Sequence, residues 1–246
     1  MAFCARFINH ILDIFFPPLC LACERYLSPR EKPHYLCARC FHSIPVKRNP
    51  VYVSVSARDE TPRFVTRFLL SAATSYALPH VRALIREFKY ARALPARLPL
   101  ALLLEQHLER SGIGTLIERR IFELVPVPLH PTRLRERGFN QAAVLANEIA
   151  IRRRVSVSEN LLRRVRATTP QALSPDAPKR RANVRGCFEL NPWALRAPTG
   201  ALKPLRGRRF ALIDDVCTSG ATLSEAVRLL RSAGAREVIC IVVAQS

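Results

Sequence analysis

One stretch constrains this chain more than any other: Phe210-Ala211-Leu212-Ile213-Asp214-Asp215-Val216-Cys217-Thr218-Ser219-Gly220-Ala221-Thr222. The apolar run Phe210–Ile213 reads as a buried strand that ends in two carboxylates. Leu223, Ala226, Val227 and Leu230 then recur at i, i+3, i+4 and i+7, a single helical face. Gly234 stops that helix. Glu237–Val243 is β-branched and apolar, which predicts a second buried strand. The unit is strand, loop, helix, strand, and its loop lies at the carboxyl end of a strand. Ligands sit there in open α/β sheets.

The loop has the chemistry of a phosphate cradle. Backbone N–H groups at a helix start point outward, and the helix dipole favours an anion. Thr218, Ser219 and Thr222 add hydroxyl donors, and Gly220 lets the backbone approach a ligand. Asp214 and Asp215 would repel a phosphate they faced. They suit hydroxyls or a cation one step away. A group with phosphate at one end and vicinal hydroxyls in the middle is a ribose 5-phosphate. The plainer alternative is a turn at Asp214-Asp215 with Thr218 as a helix cap.

The chain of 246 residues can bury one large core or two smaller ones. Its 49% hydrophobic content excludes a disordered class. Thirty-nine basic residues against 19 acidic ones leave a charge of +20. That excess suits a polyanionic partner, nucleic acid or a phosphorylated small molecule, unless arginine is simply abundant in the source composition. The apolar run Ile11–Leu21 is broken by Asp13 and Pro17-Pro18 and is too short to span a bilayer. No secretory pattern is present, so a cytoplasmic protein is expected.

Eight cysteines then imply thiols, not disulfides. Cys20-Leu21-Ala22-Cys23 and Cys37-Ala38-Arg39-Cys40 stand thirteen residues apart. Two such pairs supply four thiolates for one tetrahedral zinc. A redox Cys-x-x-Cys does not explain two copies. Four thiolates close the coordination sphere, so the expected zinc is structural. Cys4, Cys187, Cys217 and Cys240 are scattered and read as ordinary small residues.

Residues 1–16 carry apolar residues at spacings of three and four, an amphipathic helical face. Residues 51–80 suggest short strands. Val81, Leu84, Ile85 and Phe88 form a helical face, with Arg82, Arg86 and Lys89 as an exposed basic strip opposite. A second helix follows at 94–110. Phe122–Leu129 reads as another strand. The segment His130–Gln141 carries Arg133, Arg135 and Arg137 and leads into a helix capped by Asn140. Such a loop suits a pyrophosphate or a nucleic-acid phosphate, or is merely solvated. Residues 155–190 hold Arg163, Arg164, Arg166, Lys179, Arg180, Arg181 and Arg185 among prolines that argue against regular structure. This is a candidate lid, or else a plain surface excursion. Residues 191–208 read as a surface connection.

Asp214–Thr222 resembles the phosphoribosyl pyrophosphate (PRPP) loop of type I phosphoribosyltransferases. The wider order of motifs resembles the ComF family of phosphoribosyltransferase-like proteins, associated with competence for DNA uptake. The residues that carry this are the double Cys-x-x-Cys, Val125-Pro126-Val127-Pro128, Arg137–Gln141, Arg164 with Thr168 and Gln171, Arg180–Asn183, and the loop itself. The resemblance covers nearly the whole chain. It implies an α/β fold: a parallel sheet with helices on both faces (residues 51–246), preceded by an N-terminal helix and zinc ribbon (residues 1–50).

It also implies PRPP binding by Asp214, Asp215, Thr218, Ser219, Gly220, Ala221 and Thr222, with magnesium on the pyrophosphate. Leu129, His130 and Arg133 would occupy the pyrophosphate loop. Residues 163–183 would be the active-site lid. Positive charge would develop at the anomeric carbon as pyrophosphate leaves, stabilised by arginines and magnesium. No catalytic residue is assigned; Arg163, Arg164, Asp214 and Asp215 are the candidates. Arg135, Arg137, Lys179, Arg180 and Arg181 are candidates for single-stranded DNA. Three readings follow: a PRPP-binding protein of DNA uptake, a phosphoribosyltransferase of base salvage, and a non-enzymatic zinc-containing adaptor for uptake-machinery proteins.

Overall fold

A computed structural model of the chain describes residues 18–56, 65–90, 94–167, 184–195 and 204–246. The expected N-terminal helix lies outside the described residues. So do Thr168, Gln171, Lys179, Arg180, Arg181 and Asn183, and the middle of the expected connection at 191–208.

Five strands form the main sheet: β1 (Val51–Ser56), β2 (Val65–Ser75), β3 (Phe122–Pro126), β6 (Arg209–Cys217) and β7 (Glu237–Gln245). Their spatial order is β1-β2-β7-β6-β3. β2, β7, β6 and β3 run parallel, and β1 pairs antiparallel at one edge. Both long strands of the motif, β6 and β7, are interior. That explains their near-continuous apolar sequence, because a parallel sheet is covered on both faces.

The period-two alternation divides the core. Ala211, Ile213, Ile239, Ile241 and Val243 face one side; Phe210, Leu212, Val238, Cys240 and Val242 face the other. The first side is covered by α2 (Pro79–Tyr90), α3 (Arg97–Ser111), α4 (Ile113–Arg119) and α6 (Gln141–Arg153). The second is covered by α7 (Ala221–Ser232) and by a ribbon of β4 (Leu162–Arg164) with β5 (Phe188–Leu190). The expected face Leu223, Ala226, Val227 and Leu230 is fully buried there. Burying each such side chain contributes about 1.5–3 kcal/mol.

Two local readings change. The strand does not end at Ile213; β6 runs on through Asp214 and Asp215 to Cys217, paired throughout with β7. The region 155–190 is not wholly irregular. Its two ends pair as the β4–β5 ribbon, pinned to α7 where the Gly186 N–H donates to Glu225 at 2.7 Å. Glu225 is itself gripped by Arg228 through two hydrogen bonds. The prolines that argued against structure lie between the paired ends.

Two groups of buried polar side chains tie elements together. The Ser71 hydroxyl donates to His107 Nε2 at 2.7 Å, and His107 Nδ1 donates to the Lys47 carbonyl at 2.6 Å. Burial lowers the His107 pKa and keeps the ring neutral. Arg153 on α6 reaches Glu105 on α3 and Glu118 on α4, tying three helices. Its guanidinium fills the space beside Gly114, where an added Cβ would lie 2.8 Å from a terminal nitrogen.

Candidate functional site

Two sites emerge. The first is the four-cysteine segment. Backbone hydrogen bonds fold residues 18–46 into knuckles: Cys20 N–H to the Arg25 carbonyl, Leu21 N–H to the Tyr35 carbonyl, and Glu24 N–H back to Cys20. Cys37 caps the short helix α1 (Ala38–His42). The four Sγ atoms of Cys20, Cys23, Cys37 and Cys40 lie within 4.8 Å of one another. Cys23 and Cys37 are 3.8 Å apart, against about 3.8 Å for the edge of a tetrahedron with Zn–S near 2.3 Å.

Donors around the cluster favour the thiolate at Cys20 and Cys37, whereas burial and the neighbouring sulfurs push Cys40 upward. Cys37 and Cys40 N–H groups donate to Cys20 and Cys37 sulfurs, each at 3.4 Å. Burial opposes the Cys37 thiolate, but Arg25 and the Cys40 N–H outweigh it and bring its pKa down to about 6. Glu31 accepts from the Ala38 N–H and from both donors of Ser28, which hold its carboxyl at about 2. The residues fit a structural zinc. Leu27, Leu36 and Ile44 join the apolar cluster of α2 and α3, so this segment packs on the sheet domain through shared core.

The second site is an open cleft of about 1020 Å³ at the carboxyl ends of β3 and β6. Asp214, Asp215, Thr218 and Thr222 line it from β6 and the loop before α7. Leu129, Arg133 and Arg137 line it from the β3 side, where α5 spans Pro131–Arg137. Arg164 enters from β4 with its guanidinium over the Phe188 ring, 5.4 Å from the centroid. Tyr76, Arg82, Arg86 and Lys89 form the wall nearest α2.

Alternation along β6 sends the two aspartates to different surroundings. Asp215 shares the face of Ala211 and Ile213 and meets Lys89 of α2, Nζ to Oδ2 2.9 Å. Burial opposes the Lys89 ammonium, but Asp215 and then Asp214 outweigh it and raise its pKa. Asp214 accepts from the Asp215 N–H at 2.9 Å. Burial and then the Asp215 charge push its pKa up to about 7. The expected basic strip on α2 is therefore split: Lys89 turns in to the aspartates, while Arg82 and Arg86 are exposed.

Gly220 adopts φ +72°, and a Cβ there would lie 3.2 Å from Val55 Cγ2. The position requires glycine for its backbone and for packing under β1, whatever binds above. Ser219 Oγ accepts from the Ala221 N–H at 3.5 Å, the first turn of α7. Asn140 caps α6 through Ala142 N–H and donates to the Val127 carbonyl, holding the β3–α5 loop against that helix. Arg137 donates to Gln141, whose amide reaches the Phe88 carbonyl.

Other candidates are placed apart. His130 caps α5 through Thr132 N–H, and the cleft lining includes its neighbours Leu129 and Arg133. Arg135 and Arg163 are exposed and outside the lining, whereas Arg137 and Arg164 are in it. Lys89 was legible only as part of a solvated strip; nothing local in the sequence marks it as the partner of Asp215.

The sheet order, the cleft at its carboxyl edge and the aspartate-then-hydroxyl loop define a phosphoribosyltransferase-type domain. The family model of the phosphoribosyl transferase domain matches residues 136–246. Competence protein F of Haemophilus influenzae is 36% identical over 116 residues, 47% of this chain and 46% of that protein. The match thus spans less than half the length of that relative. DNA utilization protein YhgH of Salmonella typhimurium is 28% identical over 237 residues, 96% of this chain and 85% of its own. The Escherichia coli K12 protein of the same name is 28% identical over 218 residues, 88% of this chain and 80% of its own. The chain is thus similar to competence protein F and to the YhgH DNA utilization proteins, and its C-terminal part matches the phosphoribosyl transferase domain. Among the described residues no helix is long and apolar enough to cross a membrane.

Proposed function

We propose that the cleft binds PRPP with magnesium, and that the protein serves competence and DNA uptake in the cytoplasm, contacting single-stranded DNA through its basic surface. One observation carries the PRPP reading. Around one cleft stand a carboxylate pair, a hydroxyl-bearing loop at the N-terminus of α7, and the arginines of α5 after the neighbouring strand. These match in order the hydroxyls, the 5-phosphate and the pyrophosphate of PRPP. In this reading Asp214 and Asp215 hold the ribose hydroxyls, and Thr218, Ser219, Gly220, Ala221 and Thr222 hold the 5-phosphate. Leu129, His130 and Arg133 flank the pyrophosphate. Magnesium would neutralise the pyrophosphate and assist its departure. The names of the relatives support the uptake role, and the +20 charge supports a nucleic-acid partner.

Calorimetric titration of magnesium-PRPP tests the reading. Wild type is expected to bind, and Asp214→Ala/Asp215→Ala to lose at least tenfold in affinity. Absence of binding by wild type rejects it. Release of pyrophosphate in the presence of single-stranded DNA or a free base distinguishes a transferase from a ligand-bound adaptor.

A further inference from the structure

Arg82 and Arg86 stand one turn apart on α2, both exposed and both lining the cleft. The opposite face of the helix, with Val81, Leu84, Ile85 and Phe88, is fully buried, so the two guanidinium stems rise from a fixed base. Among the described residues neither arginine has a carboxylate or hydrogen-bond partner. Charges deeper in the cleft are engaged: Lys89 with Asp215, Arg137 with Gln141, and Arg164 over Phe188. Tyr76 lines the same wall, half-buried against the core beneath it.

We propose that this wall, Tyr76 with Arg82 and Arg86, seats a single-stranded nucleic acid beside the PRPP site. The proposal rests on the PRPP reading for what fills the rest of the cleft. Residues four apart on a helix present their Cβ atoms about 5–6 Å from each other, which offers two separate cationic points along a wall. A single strand needs such a track for its phosphates and an aromatic surface for a base. The basic stretches of the sequence contain no aromatic platform. Tyr76, in the short turn between β2 and α2, lines the same cleft as the arginines that follow it and offers such a surface. The location also differs from the lid and α5 arginines to which the sequence assigned nucleic acid. At this wall a strand would lie within the cleft, close to the aspartates.

The test measures a fluorescent oligothymidylate by anisotropy over a range of salt. Both arginines are exposed, so their removal should leave folding intact. Arg82→Ala/Arg86→Ala is expected to lose at least tenfold in affinity near physiological salt. Its log–log salt slope should flatten by about 1.4, two single-strand phosphate contacts. Tyr76→Ala should lose about fivefold or more with the slope unchanged. Magnesium-PRPP affinity of the double arginine variant should stay within twofold of wild type. Oligonucleotide affinity and slope equal to wild type in that variant would overturn the proposal. An equal loss of PRPP affinity would also overturn it, by assigning the arginines to the pyrophosphate. Thymidine 5′-monophosphate binding as tightly as the oligomer, through the same arginines, would replace a nucleic-acid seat by a small-anion seat. If wild type binds the oligomer through Arg82 and Arg86 but binds no PRPP, the PRPP reading fails and the nucleic-acid seat stands.

Discussion

The four-cysteine segment and the cleft at the end of β6 both gather ionisable groups, and they treat them in opposite ways. Around the cysteines the charges next to the sulfurs are answered from within. Glu31 takes three donors, Arg25 lies beside Glu31 and Cys37, and sulfurs accept backbone N–H groups. In the cleft, Asp215 is answered by Lys89, but Asp214 is pushed up to about 7 and two arginines face solvent. A closed, balanced set holds a structure together. An open set with a raised carboxyl and idle cations is arranged for something that arrives.

The largest effect should come from the closed set. Chelating the metal, or Cys37→Ser, should unfold residues 18–46, because zinc contributes about 10–16 kcal/mol to such small sites. Metal analysis should return one zinc per chain, and thermal unfolding should show loss of the early transition and exposure of Leu27, Leu36 and Ile44. Unchanged unfolding after complete metal removal would break the contrast between the two regions.

Next in size is Asp215→Ala. It leaves the Lys89 ammonium with Asp214 as its remaining nearby carboxylate, and since the pair is only partly buried the cost should fall at or below the about 3–5 kcal/mol of a broken buried pair. Denaturant unfolding should show the loss, and Lys89→Met/Asp215→Leu should recover most of it. Gly220→Ala should cost about 1–2 kcal/mol, from positive φ and the Val55 contact together.

Another effect has the opposite sign. A free aspartate titrates near 3.8, and Asp214 in the fold near about 7. The native state therefore keeps a proton that the unfolded chain gives up. The stability from that proton is full below the ordinary value and is lost as pH rises through 7. Asp214→Asn removes the loss. Its stability advantage over wild type should grow from pH 4 to pH 7 and then level off, a Tm gain of about 2–4 °C per kcal/mol. Adjacent aspartates with opposite effects on stability would sharpen the distinction between a satisfied group and a waiting one.

What could be read from the sequence was what lies close together along it. The cysteine pairs sit on their own knuckles, and Asp214–Thr222 runs without interruption from the end of β6 into α7, so residue types and spacing along the chain pointed to both. The pairing of Lys89 with Asp215 and the entry of Arg164 beside the aspartates depend on elements far apart in the chain. Local periodicity sees a basic strip on α2; only the packing of that helix on β6 shows which of its cations turns inward. The β4–β5 ribbon was hidden for the same reason: its two short strands are separated by a long proline-containing stretch. At Gly220 the fold supplies a reason that the sequence did not show. Glycine is required there by the backbone and by β1 beneath it as much as by any ligand above.

The central claim is that the cleft recognises a whole phosphoribosyl pyrophosphate, not merely negative charge. Parallel titrations with magnesium-PRPP, ribose 5-phosphate and magnesium pyrophosphate test it most directly. The account predicts that PRPP binds at least tenfold more tightly than either fragment, and that Asp214→Ala/Asp215→Ala lowers its affinity toward that of pyrophosphate alone. Equal affinity for PRPP and pyrophosphate in wild type, unaffected by the aspartates, would contradict it and leave the cleft a basic anion trap.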